Sequence, residues 1–211
     1  MATSRGHKWF AAVYDRLCAR AEATFLRPVR ADVAGGARGL VLELGCGTGA
    51  NFPYYRDDAR VVATEPDPYM LARAARRARA LGRPIAIVQA VAEALPFPDA
   101  TFDTVVATLV LCSVDDPLRA LAEARRVLRP GGELRFYEHV RYPAGPLALL
   151  QDAVTPIWRW FGAGCHPNRD TPRLFREAGL EVVRLDWSEP LPPLPPMCLA
   201  RLHVLGVARV P

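Results

Sequence analysis

Three glycines on alternate positions, in Gly45-Cys46-Gly47-Thr48-Gly49, carry the most direct chemistry in this chain. Glycines at that spacing let the main chain turn sharply and let a ligand come close where a Cβ would stand in the way. The apolar run LVLEL at 40–44 leads into them, and a second run, RVVATE at 60–65, ends on the carboxylate of Glu65. A carboxylate at that strand end can accept hydrogen bonds from both hydroxyls of a ribose. Strand, glycine loop and distal acid together describe a cradle for a nucleotide-type cofactor. The third glycine falls one residue early for the GxGxxG of a dehydrogenase, which counts against a nicotinamide dinucleotide.

A second set of reactive side chains lies further along. His139 closes the run GELRFYEH at 132–139. At the carboxyl end of a strand it faces the side on which open α/β sheets bind ligands, and an imidazole there can take a proton or, once charged, stabilise an anion. His166, Arg169 and Asp170 share the loop CHPNRD, where a histidine beside an Arg–Asp pair can orient a substrate or brace the loop. His139, His166 and Asp170 are the catalytic candidates. Tyr14 on the leader, Cys112, Trp158 and Arg169 are the substrate-contacting ones. Trp158 stands close to Trp160 and Phe161, a group that can wall an apolar acceptor site. Cys46 and Cys165 have no base at nucleophile spacing and read as small packing residues. His7 and His203 carry no pattern.

The elements that must position these residues follow from apolar periodicity. Residues 9–34 read as a helical leader with Pro28 as its kink. Strands are expected at 40–44, 60–65, 85–89, 103–108 and 132–139, with helices at 67–81 and 117–128 between them. Strands separated by helices of this length imply a parallel sheet with right-handed crossovers. Pro130-Gly131-Gly132 predicts a sharp turn before the fifth strand. Helices near 145–161 and 171–178 flank a glycine-rich break at Gly162 and Gly164. EVVRLDW at 181–187 and LARLHVLGVARV at 199–210 then suggest an antiparallel hairpin closing the sheet edge. The prolines of EPLPPLPPM between them read as a stiff link over the fold. The expected architecture is one Rossmann-like doubly wound α/β sheet of seven mostly parallel strands, the last antiparallel. Residues 1–38 form a helical lid and residues 39–211 the main domain.

Composition narrows the class. The chain has 211 residues, 51% of them apolar, enough for one well-filled α/β domain. No apolar run approaches the ~18–20 residues needed to span a bilayer, and Asp15 and Arg16 interrupt WFAAVY, so neither an anchor nor a signal peptide is expected and the cytoplasm is the simplest location. Net charge is +5, with Lys8 the only lysine among 27 basic residues. Arg73, Arg76, Arg77 and Arg79 alternate with apolar residues and have no aromatic neighbours to stack bases, so they read as a solvated helix face and no nucleic-acid partner is expected. The five cysteines are scattered with no CxxC pair, which argues for reduced thiols and against a disulfide frame or a metal site.

Four segments in register identify a family resemblance. VLELGCGTG, TEPDPYML, AEALPFPDATFD and RVLRPGGELRFYEH resemble the ordered motifs of class I S-adenosylmethionine-dependent methyltransferases across residues 40–140. The resemblance implies S-adenosylmethionine as cofactor. It implies contacts from Glu43, Gly45, Cys46, Gly47, Gly49 and Asn51 around the glycine loop, and from Glu65 and Pro66 after the second strand. Ala92 and Glu93 would meet the adenine side, and Thr108 and Leu109 follow the fourth strand. The family often has an aspartate before the Ala-Glu pair, and this chain has Val91 there. GCGTGANFPYY, TLVLCSVDDP and GCHPNRDTPRLFREAGL add a narrower similarity to membrane-associated thiol methyltransferases and their bacterial relatives. That similarity implies methylation of a small apolar acceptor, a thiol first. O-, N- or C-methylation of a metabolite, quinone or lipid headgroup is the alternative, and a non-catalytic cofactor-binding role is a third reading.

Overall fold

Five residues of LVLEL are enough to start the sheet, because a strand covered on both faces needs apolar side chains at consecutive positions. That strand, β1 (Leu40–Leu44), is buried from Val41 onward. The computed structural model describes residues 8–161, 164–192 and 197–211. It contains β2 (Arg60–Thr64), β3 (Ala86–Val88), β4 (Phe102–Thr108), β5 (Leu128–His139), β6 (Glu181–Ser188) and β7 (His203–Arg209). The strands form one sheet in the order β3-β2-β1-β4-β5-β7-β6. Strands β1 to β5 pair in parallel, and β7 runs antiparallel to both β5 and β6. The order turns from β1 toward β2 on one side and β4 on the other, which places a crevice at the carboxyl ends of β1 and β4.

The helices are α1 (Lys8–Ala21), α2 (Arg27–Val33), α3 (Pro68–Ala80), α4 (Pro117–Val127), α5 (Pro146–Phe161) and α6 (Thr171–Glu177). Three of them start on the same device. Asp67, Asp116 and Asp170 each accept a hydrogen bond from a main-chain N–H of the first turn, and each is followed by a proline at the first or second helical position. An acceptor at the cap and a residue with no N–H to leave unpaired both lower the cost of a helix start.

Several local expectations change. The leader does not kink at Pro28 itself. A wide π-type turn, Glu22–Leu26, joins α1 to α2, and Pro28 lies in the first turn of α2. A proline cannot donate to the carbonyl four residues back, and a widened turn before it relieves that mismatch. Pro130-Gly131-Gly132 is a bulge inside β5 and not a turn before it. Phe102 pairs with Leu128 and Thr104 with Glu133, so β5 spends extra residues there, with Gly131 at φ +73°. β6 and β7 pair as expected, but β7 inserts between β5 and β6 and leaves β6 at the edge. Gly162 and the centre of the proline link, residues 193–196, lie outside the described residues.

The core divides across the sheet. One face packs Leu42, Leu44, Val105, Leu121, Phe136 and Phe175 with their neighbours. The other packs Val41, Phe52, Tyr55, Ala63 and Tyr137 against Leu26 and Val33 of the leader. The second half of the leader therefore belongs to the core. No helix among the described residues is long and apolar enough to cross a membrane.

Candidate active site

The glycine loop is held from three sides. Cys46 N–H donates to Thr64 O (2.9 Å) and Gly49 N–H to Cys46 O (2.8 Å). Gly47 N–H donates to Glu65 Oε2 (2.8 Å), so the acid at the end of β2 is hydrogen-bonded directly to the loop. Gly47 has φ +55°, and no heavy atom lies within 4 Å of where its Cβ would stand. Gly49 has φ +81° and a Cβ there would come within 2.5 Å of the Phe52 ring. One glycine thus keeps an approach open and the other makes room for the core.

Glu65 also accepts from Asp67 N–H through Oε1 (2.9 Å). Each carboxylate oxygen keeps a free lone pair, which suits it to a vicinal diol. Burial raises its pKa despite these two N–H donors. The open glycine and the pinned carboxylate fit the sugar and amino-acid ends of S-adenosylmethionine. Gly45, Gly47 and Pro66 flank this same opening at the ends of β1 and β2.

Glu43 and Asn51 lie beneath the loop. Both are buried, and Asn51 Nδ2 donates to Glu43 Oε1 (2.9 Å) and Thr108 Oγ1 (3.1 Å). Tyr55 donates its hydroxyl to Glu43 Oε2 (2.9 Å), while Arg30 donates to Asn51 Oδ1 (2.7 Å) and to Glu22. Burial pushes the Glu43 carboxyl up to about 7. This chain of side chains ties α2 to the loop from below. From above, Thr48 donates its hydroxyl to Asp15 of α1 at 2.6 Å. Beside that contact a cleft of about 380 Å³ opens toward Arg73, Arg76 and Arg77 of α3. Burial raises the Tyr14 phenol, which is hydrogen-bonded to Cys18 on the next turn of α1.

On the adenine side, Ala92 is buried, and Glu93 Oε1 accepts from Asp115 N–H (2.9 Å) and Asp116 N–H (3.4 Å). Glu93 therefore joins the segment after β3 to the turn after β4. That turn starts in a constrained way: Leu109 sits at φ +58°, an uncommon conformation for a branched residue, and donates its N–H to Tyr137 O (2.7 Å).

Glu138 organises the rest of the turn, and sequence reasoning missed it. Its fully buried carboxylate accepts from Val110 N–H (2.8 Å), Leu111 N–H (2.9 Å) and Cys112 N–H (3.3 Å). Burial pushes it up to about 7, against the pull of those three donors. A charged residue between Tyr137 and His139 in an otherwise buried strand was the available signal. Gln151 was missed too. It is fully buried on α5, accepts from Tyr142 N–H (2.8 Å) and donates to Pro167 O (2.9 Å) and Leu199 O (2.8 Å).

The loop 164–170 folds onto the same turn. Arg169 donates to the carbonyls of Leu111 and Val114. His166 donates its N–H to Cys112 O (2.7 Å), with its Nδ1 3.2 Å from the same oxygen. Burial lowers the pKa of both side chains. Asp170 caps α6.

Cys165 is not a packing residue. Its Sγ lies 2.8 Å from His139 Nε2 and 3.2 Å from Trp158 Nε1, which donates to it. Cys112 donates its thiol to the same sulfur, which lowers Cys165 and raises Cys112 from the ordinary cysteine value. The ligand atoms of Cys112, His139 and Cys165 all lie within 4.8 Å of one another. His203, pairing with His139 across β5 and β7, stacks on Tyr137 at 5.0 Å, and burial lowers it to about 4. Trp158 reaches this cluster, while Trp160 is 82% exposed.

A family model described as a methyltransferase domain matches residues 42–136. The thiol S-methyltransferase TMT1B of Rattus norvegicus is 42% identical over 154 residues, covering 71% of this chain and 63% of that protein. The chain thus spans under two thirds of that relative's length. A phosphatidylethanolamine N-methyltransferase of Cereibacter sphaeroides is 36% identical over 185 residues, covering 86% of this chain and 89% of that protein. Among solved structures, the [4+2]-cyclase SpnF superposes with a TM-score of 0.71 at 24% identity, over 88% of this chain and 80% of that one. That likeness concerns the fold alone, which hosts more than one chemistry.

Proposed function

This chain belongs to the class I S-adenosylmethionine-dependent methyltransferases, and on that premise we propose that it transfers a methyl group to a small apolar thiol. The observation that carries the acceptor is the 42% identity to a thiol S-methyltransferase over 154 residues. The Cys112–His139–Cys165 cluster supports it, because that end of the site already holds a sulfur 2.8 Å from an imidazole nitrogen.

When bound, the cofactor supplies a methyl on a sulfonium, an electrophile that needs little further activation. The protein's task is to hold a nucleophile in line in a dry site. Glu65 accepts the ribose hydroxyls, and Gly45, Cys46, Gly47 and Gly49 receive the amino-acid end. Glu43 and Asn51 fix that loop from beneath. Ala92, Glu93, Thr108 and Leu109 border the adenine and the turn leading to the acceptor. The first leader helix, α1, acts as the lid through the contact of Asp15 with Thr48. Tyr14, Cys112 and Trp158 border the acceptor, while His166, Arg169 and Asp170 hold the wall of the acceptor end in place. A thiol is mostly protonated at neutral pH, so its proton must be removed or displaced as it binds.

Calorimetric titration with S-adenosylmethionine and its demethylated product tests the first half. Binding of both is expected, with loss in Glu65→Ala. A thiol panel read by mass spectrometry tests the second half, with mass gain on sulfur expected. A second reading, methylation of an amine headgroup, is favoured by the 89% coverage of the phosphatidylethanolamine enzyme. Mass gain only on amines in the same panel would replace the thiol reading with this one.

A further inference from the structure

Three soft donors from three separate elements meet at the acceptor end. Cys112 comes from the turn after β4, His139 is the last residue of β5, and Cys165 follows α5. One ligand atom from each lies within 4.8 Å of the others, and His139 Nε2 is the nitrogen that faces Cys165 Sγ. A tetrahedral zinc ion with sulfur at ~2.3 Å and nitrogen at ~2.0–2.1 Å needs its ligand atoms about 3.3–3.8 Å apart. The separations span that range, none exceeding 4.8 Å, and the 2.8 Å contact of His139 with Cys165 has to open for an ion to enter.

The ligands are held by their surroundings. Cys112 is fixed through its own N–H to Glu138 and through its carbonyl from His166. His139 is fixed in the β5–β7 ladder opposite His203. Cys165 is steadied by the Trp158 indole N–H at 3.2 Å. Outer contacts of this kind orient the two cysteines before the ion arrives, while His139 Nδ1 is buried with no hydrogen-bond partner among the described residues. Two thiolates and an imidazole select zinc-like ions over magnesium or calcium. Three protein ligands, and not four, leave one position open, as in sites that bind a substrate. Cys112 and His139 are buried while Cys165 is half-buried, so the open side lies toward Cys165.

We propose that Cys112, His139 and Cys165 form a zinc site whose open fourth position receives the sulfur of the acceptor thiol. The second clause rests on the thiol reading; the site itself does not. In the binding step the thiol proton passes to a metal-bound hydroxide, which leaves as water. The zinc–sulfur bond forms as the zinc–oxygen bond breaks, and no electrons change hands. The ligated thiolate is the nucleophile the reaction requires, and His139 serves as a ligand in place of a general base.

The test is titration of the reduced, metal-free full chain with Co²⁺. One equivalent should give thiolate-to-cobalt charge-transfer bands and the intense visible bands of a tetrahedral site, both bleached by Zn²⁺. Cys165→Ser and Cys112→Ser should each lose these bands while still binding S-adenosylmethionine by calorimetry, which shows that they are folded. Absence of the bands in the native chain, or their survival in both serine variants, overturns the site. So does formation of a Cys112–Cys165 disulfide that no metal protects against. Metal binding with no thiol methylated leaves the site standing and removes the thiol reading. Equal thiol methylation by the metal-free and zinc-loaded chains overturns the catalytic role of the fourth position.

Discussion

Thr48 and Asp15 join the glycine loop to the leader through a hydroxyl-to-carboxylate hydrogen bond of 2.6 Å. Arg77 of α3 approaches the other oxygen of Asp15 at 3.4 Å, so the latch spans three elements. A bond to a charged acceptor on a partly exposed surface is worth about 1 kcal/mol, or roughly fivefold in binding. Asp15→Ala should weaken S-adenosylmethionine binding by about that factor with little change in melting temperature. Calorimetry and thermal melting check this together. An unchanged Kd would show that α1 does not close over the cofactor.

The network beneath the loop carries stability more than affinity. Glu43→Ala strands the Tyr55 hydroxyl and one of the two Asn51 Nδ2 hydrogens in the core, the other still reaching Thr108 Oγ1, and leaves Arg30 with less to balance it. Buried donors left without partners cost about 1–3 kcal/mol each. A loss of roughly 2–4 kcal/mol in denaturant unfolding is expected, with cofactor affinity reduced in step as the loop loosens. A variant as stable as the native chain would mean that Glu43 is not the keystone of that network.

Glu138 and Glu43 set a pH dependence. Each is pushed from the ordinary 4.5 to about 7 by burial. The folded chain then holds more protons than the unfolded one between those limits. Stability is full below pH 4.5, falls as pH rises through the window, and is lost to this extent above about 7. Glu138→Gln can keep the two bonds that Oε1 accepts from Val110 and Leu111, while setting an amide against Cys112 N–H. The plot of melting temperature against pH should be flatter in this variant, its remaining slope coming from Glu43. A slope as steep as that of the native chain would remove Glu138 as its source.

Much of this was legible in the residues. The glycine loop, Glu65 and the alternation of strands and helices were, because each is set by neighbours within a few positions. The three helix starts, each an aspartate with a proline one or two residues on, are equally local. What was not legible depends on which elements the topology brings together. Cys112, His139 and Cys165 are far apart in the chain, and only the parallel order of β4 beside β5 and the return of the 164–170 loop make them neighbours. Glu138 reads as an ordinary charge until β5 is seen to be covered on both faces. The insertion of β7 between β5 and β6 follows from packing across the whole sheet, and no local pattern encodes it.

Arg169 shows how that returning loop acts on the site. Its guanidinium donates to Leu111 O and Val114 O, while its own carbonyl accepts from Arg141 N–H at 2.9 Å. One planar group thus staples the turn that carries Cys112, and burial lowers its pKa against the pull of the nearby Cys112 and Glu138. Lysine offers a compact charge on a flexible stem in place of the rigid planar fork, and holds the two carbonyls less firmly. Arg169→Lys should therefore loosen the turn and raise the KM for the acceptor several-fold, at a stability cost of about 1–2 kcal/mol. The Kd for S-adenosylmethionine should stay within twofold, since Arg169 bonds to the turn after β4 while Glu65 bonds to the glycine loop and Asp67. Parallel loss of both affinities would assign Arg169 to the integrity of the whole site, and unchanged acceptor KM would separate the turn from acceptor binding.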